Sequence, residues 1–169
     1  PHMGTSFSFN LKPEINIEPS IYPLNPSKFL SISDFDGHIE GLTMILRGEG
    51  VIDSNFNWVY GDGHLIISGD LFDRGFHITE CMWLLYKLES EAAFSGGKVH
   101  LIIGNHEIMN MTDDWRYVEV KYFNSISKFI PIFIKKNVLK SIPFKVSYTY
   151  IWMFKILMFY YCHLYLTNN

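Results

Sequence analysis

Apolar runs alternate with polar clusters along residues 28–111, and this pattern predicts repeated units of strand and helix. Strands are expected at 28–33, 64–68 and 98–103, amphipathic helices at about 38–47 and 77–94, and the start of a further helix near residue 108. Residues 51–60 alternate weakly before a Gly-Asp-Gly turn, which predicts a hairpin that returns into the second strand. The order of elements favours an α/β fold, here a layered sandwich with a mixed, partly parallel sheet.

A polar cluster follows each predicted strand. The sequence reads DFDGH at 34–38, GDLFDRG at 69–75 and GNHE at 104–107. The carboxyl ends of parallel strands meet at one edge of a sheet, which is where open α/β sheets bind their ligands. The three clusters are therefore expected to converge on one site.

Composition supports a folded domain and excludes few functions. Hydrophobic residues make up 48% of the chain and charged residues 18%, enough to build the core of one ordinary domain. Cys81 and Cys162 are too few for a disulfide framework and lack metal-ligand spacing. All 17 acidic residues lie at or before Glu119, whereas seven of the 14 basic residues follow it. These late lysines are interleaved with Phe and Ile rather than clustered, so no nucleic-acid partner is expected.

Three regions are predicted along the chain. In residues 1–27, Pro1-His2-Met3 is interpreted as a tag remnant, and the rest as an extended arm that contains prolines. Residues 28–120 are predicted to form the α/β domain, and residues 121–169 an apolar, basic tail. The most apolar run, 150–166, is shorter than the about 20 residues of a membrane helix and contains Lys155, which disfavours a membrane span. Two interpretations of the tail are kept, a homo-oligomer formed through it and an altered carboxyl terminus. The sequence does not determine the compartment, cytoplasm or periplasm.

The side chains of the three clusters suit metal-dependent phosphate chemistry. Asp34, Asp36, Asp70 and Asn105 offer oxygen ligands of the kind that hard or borderline divalent cations take, and Asp70 occupies the middle cluster, where a bridging ligand would lie. Arg74 would hold phosphate oxygens with its planar guanidinium. His106 would protonate the leaving oxygen, with Asp73 orienting its ring.

GDLFDRG and GNHE, preceded by an Asp-containing strand end, resemble the calcineurin-like metallophosphoesterases, specifically the Shewanella-like, bacterial-type branch of the phosphoprotein phosphatase superfamily. The resemblance implies that Asp34 and Asp70 ligate metal, that Asn105 binds metal and phosphate, that Arg74 contacts phosphate, and that His106 and Asp73 form the acid pair. It further implies two divalent ions (Mn, Fe, Zn or Mg, with Mn favoured). The expected reaction is attack of a metal-bridged hydroxide on a phosphomonoester. The substrate would be a phosphorylated protein, of Ser/Thr or Tyr type, or a small phosphomonoester.

Two departures from the family pattern keep alternatives open. Asp36 stands where the pattern Asp-x-His-Gly has histidine, which should shift metal preference toward harder ions. The two later histidine motifs are missing, and only His163 follows His106, so the resemblance covers the first half of a longer domain and the fold is expected to be incomplete. One alternative is a phosphatase-like chain that retains a single metal ion and is inactive or acts as a binding module. The other is a dinucleoside polyphosphate hydrolase.

Overall fold

A three-stranded parallel sheet forms the centre of the structure, a computed structural model that describes residues 6–10, 25–112 and 114–124. The order along the chain is β1 (Phe29–Ile32), α1 (Ile39–Gly48), β2 (His64–Ile67), α2 (Ile78–Phe94), β3 (Lys98–Leu101) and α3 (Asn105–Met111). The predicted α/β fold is confirmed, and α3 begins three residues before the predicted start at 108. The chain divides into two compact units, Pro1–Gly104 and Asn105–Asn169.

The sheet has the spatial order β1-β2-β3, and both strand pairings are parallel. Leu30 pairs with Leu65, and Leu65 with Val99, so apolar side chains share one face across all three strands. Helix α2 packs on β3 and on α1. The core is made of side chains such as Leu42, Leu46, Leu65, Ile67, Leu84 and Leu88, all fully buried. Because all three strands run in the same direction, the loops that follow β1 and β2 leave the sheet at the same edge.

The opposite face of the sheet is partly exposed and carries both polar and apolar side chains. His64 and His100 lie side by side on it, with 2.9 Å between His64 Nδ1 and His100 Nε2. Partial burial, reinforced by the neighbouring His64 and Lys98, lowers the pKa of His100. Phe29 on the same face is 68% exposed. Among the described residues, no side chain of this face is fully buried.

The hairpin predicted for residues 51–60 is wrong. Ile52 forms an isolated antiparallel bridge with Trp58 instead, and in the described residues this is the only antiparallel bridge outside the parallel sheet. The reason is local, because both oxygens of the Asp53 carboxylate accept hydrogen bonds within the turn. Oδ1 accepts from the backbone N–H groups of Asn55 and Asn57, and Oδ2 accepts from the side-chain amide of Asn57. These bonds fold the segment back on itself before it reaches β2.

A buried lysine ties this turn to α2. Lys87 is 3% exposed, and its Nζ donates to the Phe56 carbonyl oxygen at 2.7 Å and to Glu91 Oε1 at 2.5 Å. The second oxygen of the Glu91 carboxylate accepts the Trp58 N–H at 2.9 Å. The network pairs a buried charge with a carboxylate and a carbonyl, as burial of an ammonium group requires.

Residues 6–10 are the described part of the predicted amino-terminal arm. They form neither helix nor strand, and the Phe9 ring lies 5.1 Å from that of Trp83 and 5.6 Å from that of Tyr86. The centroid of the Phe7 ring lies 5.7 Å from that of the Phe56 ring. The predicted tail lies outside the described residues except for 121–124, and the predicted domain limits stay a prediction. In the part of the chain that the structure describes, no helix has the length and apolarity needed to cross a membrane.

Candidate active site

The first and second polar clusters, residues 34–38 and 69–75, are the loops that follow β1 and β2. The Asp36 N–H donates to the Asp70 carbonyl oxygen at 3.2 Å, and the N–H of His77, two residues after the second cluster, donates to the Gly37 carbonyl oxygen at 3.1 Å. Each loop therefore satisfies backbone groups of the other. The two clusters form one backbone assembly at the carboxyl edge of the sheet.

Strained backbone is concentrated in this assembly. Six residues other than glycine have positive φ in the described part of the chain, and five of them lie in the two clusters. The left-handed region costs an L-residue about 1–2 kcal/mol, although Asp tolerates it better than most. Such strain persists where the surroundings hold it in place, and it is typical of functional sites. The five residues are Asp34 (54°), Asp36 (43°), Asp70 (54°), Asp73 (74°) and Arg74 (53°).

Glycines bring the loops into backbone contact. A Cβ atom on Gly75 would run into the Asp36 carbonyl oxygen and lie 2.8 Å from the Gly37 carbonyl carbon. A Cβ on Gly69, whose φ is 90°, would run into the Gly104 backbone. The segments that follow β2 and β3 therefore also approach each other closely, at Gly69 and Gly104. Only glycine permits this approach.

An ion pair joins the two clusters through their side chains. Arg74 Nη1 lies 2.9 Å from Asp36 Oδ1 and 2.8 Å from Asp36 Oδ2. The Arg74 side chain is 49% exposed and that of Asp36 17% exposed. The sequence gives no signal of this pair, because its two residues are 38 positions apart and belong to separate motifs. The guanidinium predicted to bind phosphate is held by a carboxylate predicted to bind metal.

The other carboxylates of these clusters differ in exposure. Asp34 is exposed, Asp70 half-buried and Asp73 fully buried. Asp34 and Asp70 follow neighbouring parallel strands and fit a hard divalent cation by the chemistry of their oxygens. Asp36 fits less well, since both of its oxygens face Arg74. No group of three or more His, Cys, Asp and Glu side chains within the described ranges is arranged to hold a metal ion.

The third cluster opens α3, which belongs to the second compact unit and is described by itself. Asn105 is exposed and His106 is 4% exposed. The His106 ring lies 5.4 Å from the Tyr117 ring, and the Asn110 side-chain amide donates to the His106 carbonyl oxygen at 2.9 Å. Asn110 is not part of any of the three motifs, and its spacing of four residues from His106 on a helix is the signal that identifies it. These contacts hold the first turn of α3.

The fold and the paired acidic loops define a phosphoesterase-type α/β domain, and comparison with known families agrees. Residues 27–159 match the family described as calcineurin-like phosphoesterase, so the chain belongs to that family. The family consists of hydrolases, and its members generally use divalent metal ions. The sequence resemblance is thereby confirmed.

Within the family, the chain is similar to Shewanella-like phosphatases. The chain is 38% identical over 96 residues to Shewanella-like protein phosphatase 2 of Arabidopsis thaliana, and 39% identical over 94 residues to Shewanella-like protein phosphatase 1 of Plasmodium berghei. These alignments cover 57% and 56% of this chain. Among solved structures, the cold-active protein-tyrosine phosphatase of a psychrophilic Shewanella species is 36% identical, with a TM-score of 0.57 over 62% of this chain.

The aligned parts are short relative to the related proteins. The chain covers 25% and 26% of the two curated phosphatases and 33% of the Shewanella enzyme. The family match over residues 27–159 includes the loops described above.

Proposed function

We propose that the chain is a metal-dependent phosphoesterase that hydrolyses phosphomonoesters, with phosphorylated protein as its substrate class. The observation that carries the proposal is the assembly at the ends of β1 and β2. Asp36, Asp70 and Arg74 meet there in strained backbone that glycine contacts hold in place. Relatives named as protein phosphatases and a protein-tyrosine phosphatase support the substrate class. The proposed substrate carries Ser/Thr or Tyr phosphate, and the peptide assay described below distinguishes them.

In this proposal the residues of the first unit bind the phosphate group and its activator. Asp34 and Asp70 would hold divalent metal, which supplies Lewis-acid polarisation of a phosphate ester when it is bound. Arg74 would orient the phosphate, since its planar guanidinium matches two phosphate oxygens and is half-exposed to solvent. Manganese, and a count of two ions, are the metal identity and number we propose.

In this proposal a residue of the third cluster donates the proton to the leaving oxygen. Imidazole is the side chain best suited to donate a proton near neutral pH, and His106 is the histidine in GNHE. Asn105 is proposed as a further ligand of metal and phosphate through its amide. The assignment of Asp73 as the residue that orients His106 stays a prediction.

The direct test is hydrolysis of an aryl phosphate in the presence of Mn²⁺ by the wild-type chain, Asp70→Ala, His106→Ala and the control Glu49→Gln. Glu49 is exposed and lies in none of the clusters. Loss of a general acid costs about 10²–10⁴-fold in rate, so His106→Ala should fall by at least about 100-fold while the control keeps the wild-type rate. Wild-type turnover that survives both alanine changes would refute the proposal.

Substrate class is tested by replacing the aryl phosphate with phosphotyrosine and phosphothreonine peptides. A dinucleoside polyphosphate is added as a competitor in the same assay. Hydrolysis of either peptide supports a protein phosphatase. Inhibition by the dinucleotide at concentrations well below the peptide KM would instead favour a dinucleoside polyphosphate hydrolase.

A non-catalytic metal-binding module is the second candidate. The Asp36–Arg74 pair favours it, because both oxygens of one predicted metal ligand lie against a guanidinium instead. Elemental analysis of protein equilibrated with Mn²⁺ separates the two candidates. Two ions per chain support the catalytic site, whereas a single ion together with absent turnover supports the module.

A further inference from the structure

The ion pair between Asp36 and Arg74 is partly buried and uses both oxygens of the carboxylate. Both Asp36 oxygens lie within 2.9 Å of one guanidinium nitrogen, and the carboxylate is largely shielded, at 17% exposure. Asp36 also occupies the place at which the related family pattern has histidine.

The backbone imposes this pairing. Asp36 and Arg74 both have left-handed φ, at 43° and 53°. Gly75, directly after Arg74, packs against the Asp36 carbonyl oxygen, and the Asp36 N–H is bonded to Asp70. Adjoining backbone contacts fix the two residues close together, so their side chains lose little conformational entropy when they pair. The fold of the two loops thus places the Asp36 carboxylate next to the Arg74 guanidinium.

We infer that Asp36 is a positioning residue for Arg74 and a competitor of phosphate, and that it is not a metal ligand. The inference rests on the proposed function in one respect, that Arg74 binds phosphate. Carboxylate and phosphate take the same N–H groups of a guanidinium, and an added phosphate anion is repelled by a carboxylate at this distance. Asp36 therefore holds Arg74 in place while it weakens the affinity of the site for phosphate.

The test is a double-mutant cycle read out by phosphate binding. Inorganic phosphate is titrated into metal-free wild type, Asp36→Asn, Arg74→Gln and the double variant, and Kd is followed by phosphorus NMR. Removing a partly exposed ion-pair partner corresponds to about two- to fivefold in affinity, so Asp36→Asn should tighten binding by about that factor. In the Arg74→Gln background the gain should vanish. Asp34→Asn removes an equal charge from the same loop and should give less than half of the gain.

Metal affinity is measured in parallel by Mn²⁺ titration with electron paramagnetic resonance. Asp36→Asn should leave the Kd for Mn²⁺ within about twofold of wild type, whereas Asp34→Asn and Asp70→Asn should weaken it by about tenfold or more. Thermal unfolding of each variant confirms that it is folded.

Three results would overturn the inference: a tenfold loss of Mn²⁺ affinity in Asp36→Asn, a gain in phosphate affinity that persists without Arg74, and undetectable phosphate binding by Asp36→Asn. Failure of the proposed function is distinguishable from these. It would appear as absent aryl phosphate hydrolysis with Mn²⁺, while the binding cycle on metal-free protein still reports on Asp36.

Discussion

Gly75→Ala should destabilise the protein by disrupting the contact between the first and second clusters. The added methyl group would meet the Asp36 carbonyl oxygen and would lie 2.8 Å from the Gly37 carbonyl carbon and 2.9 Å from the Gly37 carbonyl oxygen. Ordinary contacts of a Cβ atom begin near 3.4 Å. All three obstacles are backbone atoms, which cannot move away by rotation about a side-chain bond. One of the two loops must shift.

The magnitude follows from the cost of overpacking. Extra methyl groups in well-packed regions cost about 1–3 kcal/mol, and we expect about 2 kcal/mol here because the neighbours are backbone. For a folded region of about 100 residues, each kcal/mol lowers Tm by about 4–8 °C, so Tm should fall by about 8–16 °C. The same movement separates Asp36 from Arg74, so the affinity for inorganic phosphate should change as well.

Two other glycines provide matched controls. Gly48 ends α1 with open space around it, so Gly48→Ala should be neutral or stabilise by up to about 1 kcal/mol. Gly50 also has open space but a φ of 67°, so alanine there costs about 1 kcal/mol through backbone strain alone. Urea unfolding followed by circular dichroism measures all three variants. If Gly75→Ala lies within about 0.5 kcal/mol of Gly48→Ala, the contact is not rigid and the reasoning is refuted.

Two further predictions concern buried groups of α2. Lys87→Met should cost about 2–3 kcal/mol in urea unfolding, because the Phe56 carbonyl oxygen and the Glu91 carboxylate lose their partner, and adding Glu91→Leu should recover part of the loss. Equal stability of Lys87→Met and wild type would show that water replaces the ammonium group. Burial, with smaller effects from Glu80 and Glu40, raises the pKa of the Cys81 thiol from 9.0 to about 12. The folded state therefore disfavours the thiolate, and the free energy of unfolding should fall as pH rises from about 9 toward 12. Iodoacetamide at pH 8 should label Cys81 in urea but only slowly in the native protein, and rapid native labelling would contradict the burial.

The elements of the first unit were largely predictable from the sequence. Hydrophobic periodicity and glycine stops are local signals, and they identified β1, α1, β2, α2 and β3 to within a few residues. They failed at residues 51–60, where the Asp53 carboxylate captures two nearby N–H groups and weak alternation does not become a strand. They also gave no sign that Lys87 would be buried, since its partners Phe56 and Asn57 come from that misassigned turn.

The sequence by itself determined the family and the chemistry available at the strand ends, because GDLFDRG and GNHE are contiguous motifs whose residue types carry the function. Tertiary structure decided which of those side chains face each other. Asp36 looks like a metal ligand in the sequence, yet its carboxylate pairs with Arg74, which is 38 residues away along the chain. That pairing depends on parallel register between β1 and β2 and on the close approach of Gly75 to the first loop. Such contacts arise only when separate loops are brought together, so a reading of each motif alone does not contain them.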